Sequence, residues 1–266
     1  EITERYRAVL DRAPSAGANA MMLTLVPVQK QANAKISVDN CSSRYIGHNE
    51  ITAYYSNSFL PLQQATLSGL TSLPTKELSF GALQHSLVVA SDMTVEISGS
   101  YTRSKPGYTL QPLEIDSRAL YVDIAVNYQA MRQRDENLLL RVSSSARKVA
   151  SDVFNATPLT RDDIRTADAG LSYDRSDEWG GNNSLSAVIT KGIEWLVSSK
   201  KGEANLSRAL PDSNFTKVEL SLQRQQTITS SWSVLMQASG QWANAPLFTF
   251  CIGGIWCWRA NLWPRL

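Results

Sequence analysis

Side chains able to do chemistry are few in this chain of 266 residues, and their spacing argues against most enzyme classes. The histidines, His48 and His85, each sit in a strand-like run without the serine, cysteine or aspartate arrangement that a nucleophilic relay needs. Cys251 and Cys257 lie near each other, but Cys41 is remote and neither a second cysteine pair nor a nearby histidine completes a zinc set. Asp162-Asp163 could in principle hold a cation; within the polar run 149–165 the two read as charges on an exposed loop. Phosphate-binding glycine loops and a GxSxG elbow are absent. The expectation is therefore no enzyme, no metal and no cofactor. Arg259 draws attention instead, because it follows Gly253-Gly254 in "FCIGGIWCWRANLWPRL", among tryptophans. A guanidinium in such company must find a carboxylate or water, since an unpaired buried charge is costly.

Bulk properties narrow the choice further. A net charge of +2, with 19% charged residues, gives no basic face for phosphate backbones, so no nucleic-acid partner is expected. Asn-x-Ser/Thr triplets begin at Asn40, Asn155, Asn182, Asn205 and Asn214, as a Ser/Thr-rich chain produces by chance. No apolar run approaches the length of about eighteen residues that a membrane helix needs. Residues 1–30 lack a basic-then-apolar export pattern, so the chain is expected to start inside a larger protein or to have lost its signal on maturation.

The elements that must position these residues show themselves through period-two alternation. Leu120, Val122, Ile124, Val126 and Tyr128 alternate with Tyr121, Asp123, Ala125, Asn127 and Gln129. Met93 to Tyr101, Val218 to Gln223 and Trp232 to Trp242 repeat the pattern, so each strand has one apolar and one polar face. Eleven strands are predicted, at 34–39, 48–58, 64–73, 77–90, 93–103, 117–130, 136–148, 166–178, 183–196, 214–226 and 230–243. Many reach ten residues, longer than the average of about five or six in soluble sheets and matching the nine to eleven or so that cross a bilayer. Long polar connections (104–116, 149–165, 197–213) fall on one side and short ones on the other, as in an outer-membrane barrel. Tyr45, Tyr54, Tyr55, Tyr101, Tyr121, Tyr173, Trp179, Trp195 and Trp242 fall near strand ends, where an interfacial girdle would place them. Only the start differs: Ile2, Tyr6, Val9 and Leu10 share a helical face, and "AMMLTLVPV" follows as a strand.

Two segments add a resemblance. "SVDNCSSRYIGHNE", through Asp39, Asn40, Ser43, Arg44, Tyr45 and Gly47, resembles the first barrel strand and hairpin of the two-partner secretion transporters, the haemolysin secretion/activation proteins. "FTFCIGGIWCWRA" is similar to a second segment of that family through Phe250, Gly253, Gly254 and Arg259. The family usually has Gly-Tyr after this arginine, whereas Ala260 and Asn261 stand here, by divergence or by a shift of reading frame.

The resemblance implies an all-β fold, a partial transmembrane antiparallel β-barrel with about eleven of sixteen strands, preceded by the end of an α/β POTRA module. Residues 1–33 would be the C-terminal part of that module and 34–266 a barrel incomplete at its C-terminus. The Arg259 segment would fold into the lumen as a loop after the eleventh strand. The implied function is secretion and activation of a partner exoprotein of haemolysin or adhesin type across a Gram-negative outer membrane. Its partners would be that unfolded exoprotein, captured by POTRA modules through strand addition, and outer-membrane lipid, with no nucleotide involved. A barrel-assembly factor, a passive porin or barrel enzyme, and a soluble β-sandwich are the alternative readings.

Overall fold

The computed structural model describes residues 5–12, 21–28, 32–58, 62–73, 76–154, 157–194, 198–199, 204–207, 213–229, 232–247 and 257–264. Its elements are strands β1 (Arg5–Arg12), β2 (Met21–Val28), β3 (Asn33–Asp39), β4 (Asn49–Asn57), β5 (Gln63–Leu73), β6 (Leu78–Ala90) and β7 (Met93–Ser104). A short 3-10 helix at Tyr108–Leu113 precedes β8 (Asp116–Arg132), β9 (Glu136–Val153), β10 (Thr157–Ser176), β11 (Gly181–Gly192), β12 (Thr216–Thr227), β13 (Trp232–Ala243) and β14 (Cys257–Pro264).

β3 to β14 form one twelve-stranded antiparallel sheet in which every strand pairs with its neighbours in sequence. The sheet is not closed, because β3 and β14 are its two edges. Its all-β, meandering architecture follows from the alternation: each pairing puts apolar rows of adjacent strands on one face. Ile97 faces Ile124, Val95 faces Val126 and Leu171 faces Leu140 across the ladder. That face stays open. Ile97, Ile124, Val142, Leu83 and Leu67 are each at least half exposed, whereas the fully buried apolar side chains are only a handful. An apolar surface of this extent is a surface for lipid or protein, not for water.

Ten residues separate Trp232 from Trp242 on the apolar face of β13, and both rings are exposed. Ten steps of about 3.3 Å, inclined by about 40°, span about 25 Å, the height of the apolar band of a membrane barrel. Among the described residues no helix is long and apolar enough to cross a membrane, which leaves strands as the spanning elements.

Three expectations are corrected. The first concerns the helix over residues 2–10: Arg5–Arg12 is a strand, paired antiparallel with Met21–Val28 from Arg5 opposite Val28 to Arg12 opposite Met21. Spacing in a short apolar run fits either period, and the partner strand nearby supplies the ladder that decides it. The α/β character expected of 1–33 is thus absent from its described residues.

The second concerns the long loop at 149–165. β9 and β10 run on through it, with Asp116 opposite Asp152 and Arg161 opposite Ala150. Polar side chains there satisfy one another across the ladder, as in the Arg161–Asp152 ion pair, so the hairpin continues beyond the apolar band. Asp162, in consequence, lies on β10 and is 2% exposed rather than displayed on a loop. The third correction concerns the eleven-strand count, which gains a twelfth in β14.

Candidate functional site: a polar inner wall and a clamped hairpin

Register determines which side chains share the polar face. Glu96 on β7, Asp123 and Asn127 on β8 and Arg141 on β9 all fall on it. Arg141 donates from Nη1 to Glu96 Oε2 at 2.8 Å and to Asn127 Oδ1 at 3.1 Å, and from Nη2 to Asp123 Oδ2 at 3.0 Å. Beside this fork, Arg147 stacks over the Tyr121 ring at 4.9 Å. Asp168 accepts hydrogen bonds from Thr190 Oγ1 at 2.6 Å and Thr166 Oγ1 at 3.0 Å.

Tyr121, Asp123, Arg141, Asp168, Thr190 and Lys217 line one recess of about 330 Å³. In a flat sheet β8 and β12 would stand about 19 Å apart, four strand spacings. Side chains from both share one recess, so the sheet curls with its polar face inward. Charged and hydroxyl groups already paired to one another offer no general base near a nucleophile; the wall is suited to holding water. Among the described residues no group of three or more His, Cys, Asp or Glu side chains converges on a metal position.

The connection between β3 and β4 holds the first motif. Asp39 ends β3, and its Oδ1 accepts the Cys41 N–H at 3.2 Å, bending the chain. Ser43 completes the turn: its carbonyl accepts the Ile46 N–H at 3.0 Å and its hydroxyl the Tyr45 N–H at 3.3 Å. Asn40 is an exposed residue of the same bend. Gly47 is buried with φ +97°, and a Cβ there would stand 2.5 Å from the Ser72 Cβ, so glycine is required twice over.

The turn grips a distant loop. Gly107 donates its N–H to the Tyr45 carbonyl at 2.8 Å, while Tyr108 receives both rings of contact. The Tyr45 and Tyr108 rings meet edge to face at 5.6 Å, and the Arg44 guanidinium sits 5.0 Å from the Tyr108 centroid with Nη1 3.2 Å from its hydroxyl. A Cβ on Gly107 would strike Glu77 Oε1 at 2.0 Å. Asp39, Ser43, Arg44, Tyr45 and Gly47 are thereby brought to one point.

The β7–β8 partners of this clamp were not singled out in the sequence. Pro106-Gly107 in "SKPGYTLQPLEID" is a turn marker of the kind that signals close backbone approach, and it was the available clue. Arg141 was hidden for a different reason, since one charge in an alternating strand looks like any other polar position.

Phe250, Gly253 and Gly254 lie outside the described residues. Arg259 is found on β14, opposite Gln237 of β13, rather than in a loop. Trp258, Ala260 and Leu262 alternate with Arg259 and Asn261, the two-faced pattern that forms strands throughout the chain. The β13–β14 connection begins at the inner side: Leu247 is 4% exposed and packs with Ile164 of β10 and with Phe215, beside Ala243 and Ala245.

No family model matches the sequence, and no curated protein does. Solved structures do. CdiB from Escherichia coli superposes with a TM-score of 0.74 over 92% of this chain, at 17% identity. The fold is a β-barrel wall. CdiB from Acinetobacter baumannii aligns at 0.53 over 97% of the chain with 11% identity. BamA from Haemophilus ducreyi lacking POTRA domains 1-3 aligns at 0.54 over 92%, with 9% identity. The chain spans 46%, 58% and 47% of those three structures respectively, about half their length. The open sheet is thus the wall of a partial barrel, with its curl and its apolar outer face accounted for.

Proposed function

We propose that the chain is part of an outer-membrane translocator of the two-partner secretion (TpsB) type, which exports and helps activate a partner exoprotein of haemolysin or adhesin kind. The observation that carries this reading is the Asp39–Gly47 hairpin. The segment that resembles those transporters is the one that clamps the β7–β8 loop, inside a sheet with the fold of CdiB. Apolar rows outside and paired polar groups inside give an unfolded chain a route across lipid.

In this reading residues 1–33 end a POTRA module, whose sheet edge captures the exoprotein by strand addition. The β13–β14 connection with Phe250, Gly253 and Gly254 turns into the lumen, starting from the buried Leu247, and Arg259 serves that segment through a carboxylate partner. The barrel sits in a Gram-negative outer membrane. The decisive experiment expresses the complete gene together with the neighbouring exoprotein gene in a host lacking both. Exoprotein in the medium, lost on Gly47→Val, supports the reading; exoprotein retained in the periplasm with the barrel intact refutes it.

A second reading has one observation in its favour, the likeness to BamA at TM-score 0.54. A barrel-assembly factor would deplete other outer-membrane barrels when removed and leave a co-expressed exoprotein unaffected.

A further inference from the structure

The apolar outer face ends, at the side of the long connections, in a row of cations. Arg103 on β7, Arg118 on β8, Lys148 on β9, Arg165 on β10 and Lys191 on β11 all share the outward face by register. Directly below each, two residues toward the turn end, stands Tyr101, Leu120, Ala146, Ala167 or Ile189, all on the same face. Five successive strands thus make the same change from apolar to basic.

The row also lies at one height. Arg103 pairs with Arg118, but Lys148 pairs with Leu120, Arg165 with Ala146 and Lys191 with Ala167. Relative to the rungs of the ladder the cations therefore descend six residues over four strand steps. That is about 5 Å along the strand for each spacing of about 4.8 Å, an inclination of about 45°. Transmembrane strands are tilted by about that much, so a slanted row on the ladder is a level belt around the barrel.

Acidic groups partly offset the belt without covering it. Asp116 binds Arg103 at 2.7 Å, Arg118 at 2.9 Å and Lys105 at 3.5 Å, leaving these three cations 41%, 50% and 47% exposed. Arg165 pairs with Asp163, and Lys191 Nζ donates to Asn214 Oδ1 at 2.6 Å, while Lys148 is exposed. The short connections at the other end carry Asp92, Asp135 and Asp177, so the two ends differ in sign.

We infer that this belt binds the phosphates of an anionic glycolipid headgroup in the outer leaflet, with acyl chains lying on the apolar rows below. The inference rests on the outer-membrane reading above. Arginine and lysine just beyond a hydrocarbon band match lipid phosphates in height and charge, and the belt is continuous with the surface that the acyl chains cover.

The test reconstitutes the full-length protein into phosphatidylcholine vesicles containing a small fraction of spin-labelled diphosphoryl lipid A, and measures its enrichment at the protein boundary. Enrichment over labelled phosphatidylcholine is expected, with about fivefold less for each belt cation removed in Arg118→Gln, Lys148→Gln and Lys191→Gln. Arg147→Gln, on the inner face, should change nothing. Equal boundary populations of diphosphoryl and dephosphorylated lipid A, or displacement of the lipid by inorganic phosphate alone, would overturn the inference. Quenching of tryptophan by brominated acyl chains is read in the same vesicles. Quenching without lipid A preference sinks the belt alone; no quenching sinks the membrane reading and the belt with it.

Discussion

Tyr45 and Gly107, 62 positions apart in sequence, are joined by a backbone hydrogen bond of 2.8 Å, and the rings of Tyr45 and Tyr108 lock over it. A connection of nine residues between β3 and β4 thereby holds the β7–β8 loop four strands away. Two loops fastened in this way cannot move independently at the barrel mouth.

Gly47→Ala should break this clamp. Positive φ costs about 1–3 kcal/mol for a side chain, and the added Cβ meets Ser72 at 2.5 Å. Gly81→Ala, with nothing within 4 Å of its Cβ, is the control and should be neutral. Urea titration of the folded barrel, followed by gel mobility with and without heating, reads the difference.

Tyr108→Ala should free the β7–β8 loop while leaving the sheet intact. Hydrogen exchange at the Gly107 amide should accelerate by about tenfold or more as its partner carbonyl is uncovered. Unchanged exchange would mean that the rings are incidental to the clamp.

Arg141→Met leaves Asp123, whose side chain is only 6% exposed, without its cation. A loss of about 2 kcal/mol is expected, reduced from the fully buried case because the arginine itself is 40% exposed. Adding Asp123→Asn should recover most of it. A double-mutant cycle on unfolding midpoints provides the measurement.

Asp177, in the β10–β11 turn, accepts hydrogen bonds from Asn183 Nδ2 and the Gly181 N–H and an ion pair from Arg224, which hold its carboxyl down at about 2. A depressed carboxyl stabilises the folded turn above its ordinary value of 3.8 and loses that contribution as pH falls toward about 2. Exchange at the Gly181 amide should rise across that window, and Asp177→Asn should remove the pH dependence.

Much of the sheet was legible because a membrane wall writes its two faces into every strand. The alternation at Leu120–Tyr128 placed β8, and similar runs placed the strands from β3 to β13 to within a few residues over most of their ends. Where both faces turn polar the pattern vanishes, so the outer part of the β9–β10 hairpin read as loop although Arg161 and Asp152 hold it as strand. Residues 5–12 failed for the opposite reason, since a brief apolar run satisfies two periods at once. At the candidate site the hairpin motif was visible by its residue types. Its partners Gly107 and Glu77 were not, because tertiary proximity leaves no local mark.

Site-directed spin labelling along β8, in lipid vesicles, tests the central claim most directly. Labels at Val122, Ile124 and Val126 should be relaxed by oxygen dissolved in the hydrocarbon, and labels at Asn127 and its β9 neighbour Ser143 by a water-soluble nickel reagent. A strand whose successive labels all respond alike, or whose Val122, Ile124 and Val126 labels are shielded from both reagents, would contradict a wall with lipid on one side and water on the other.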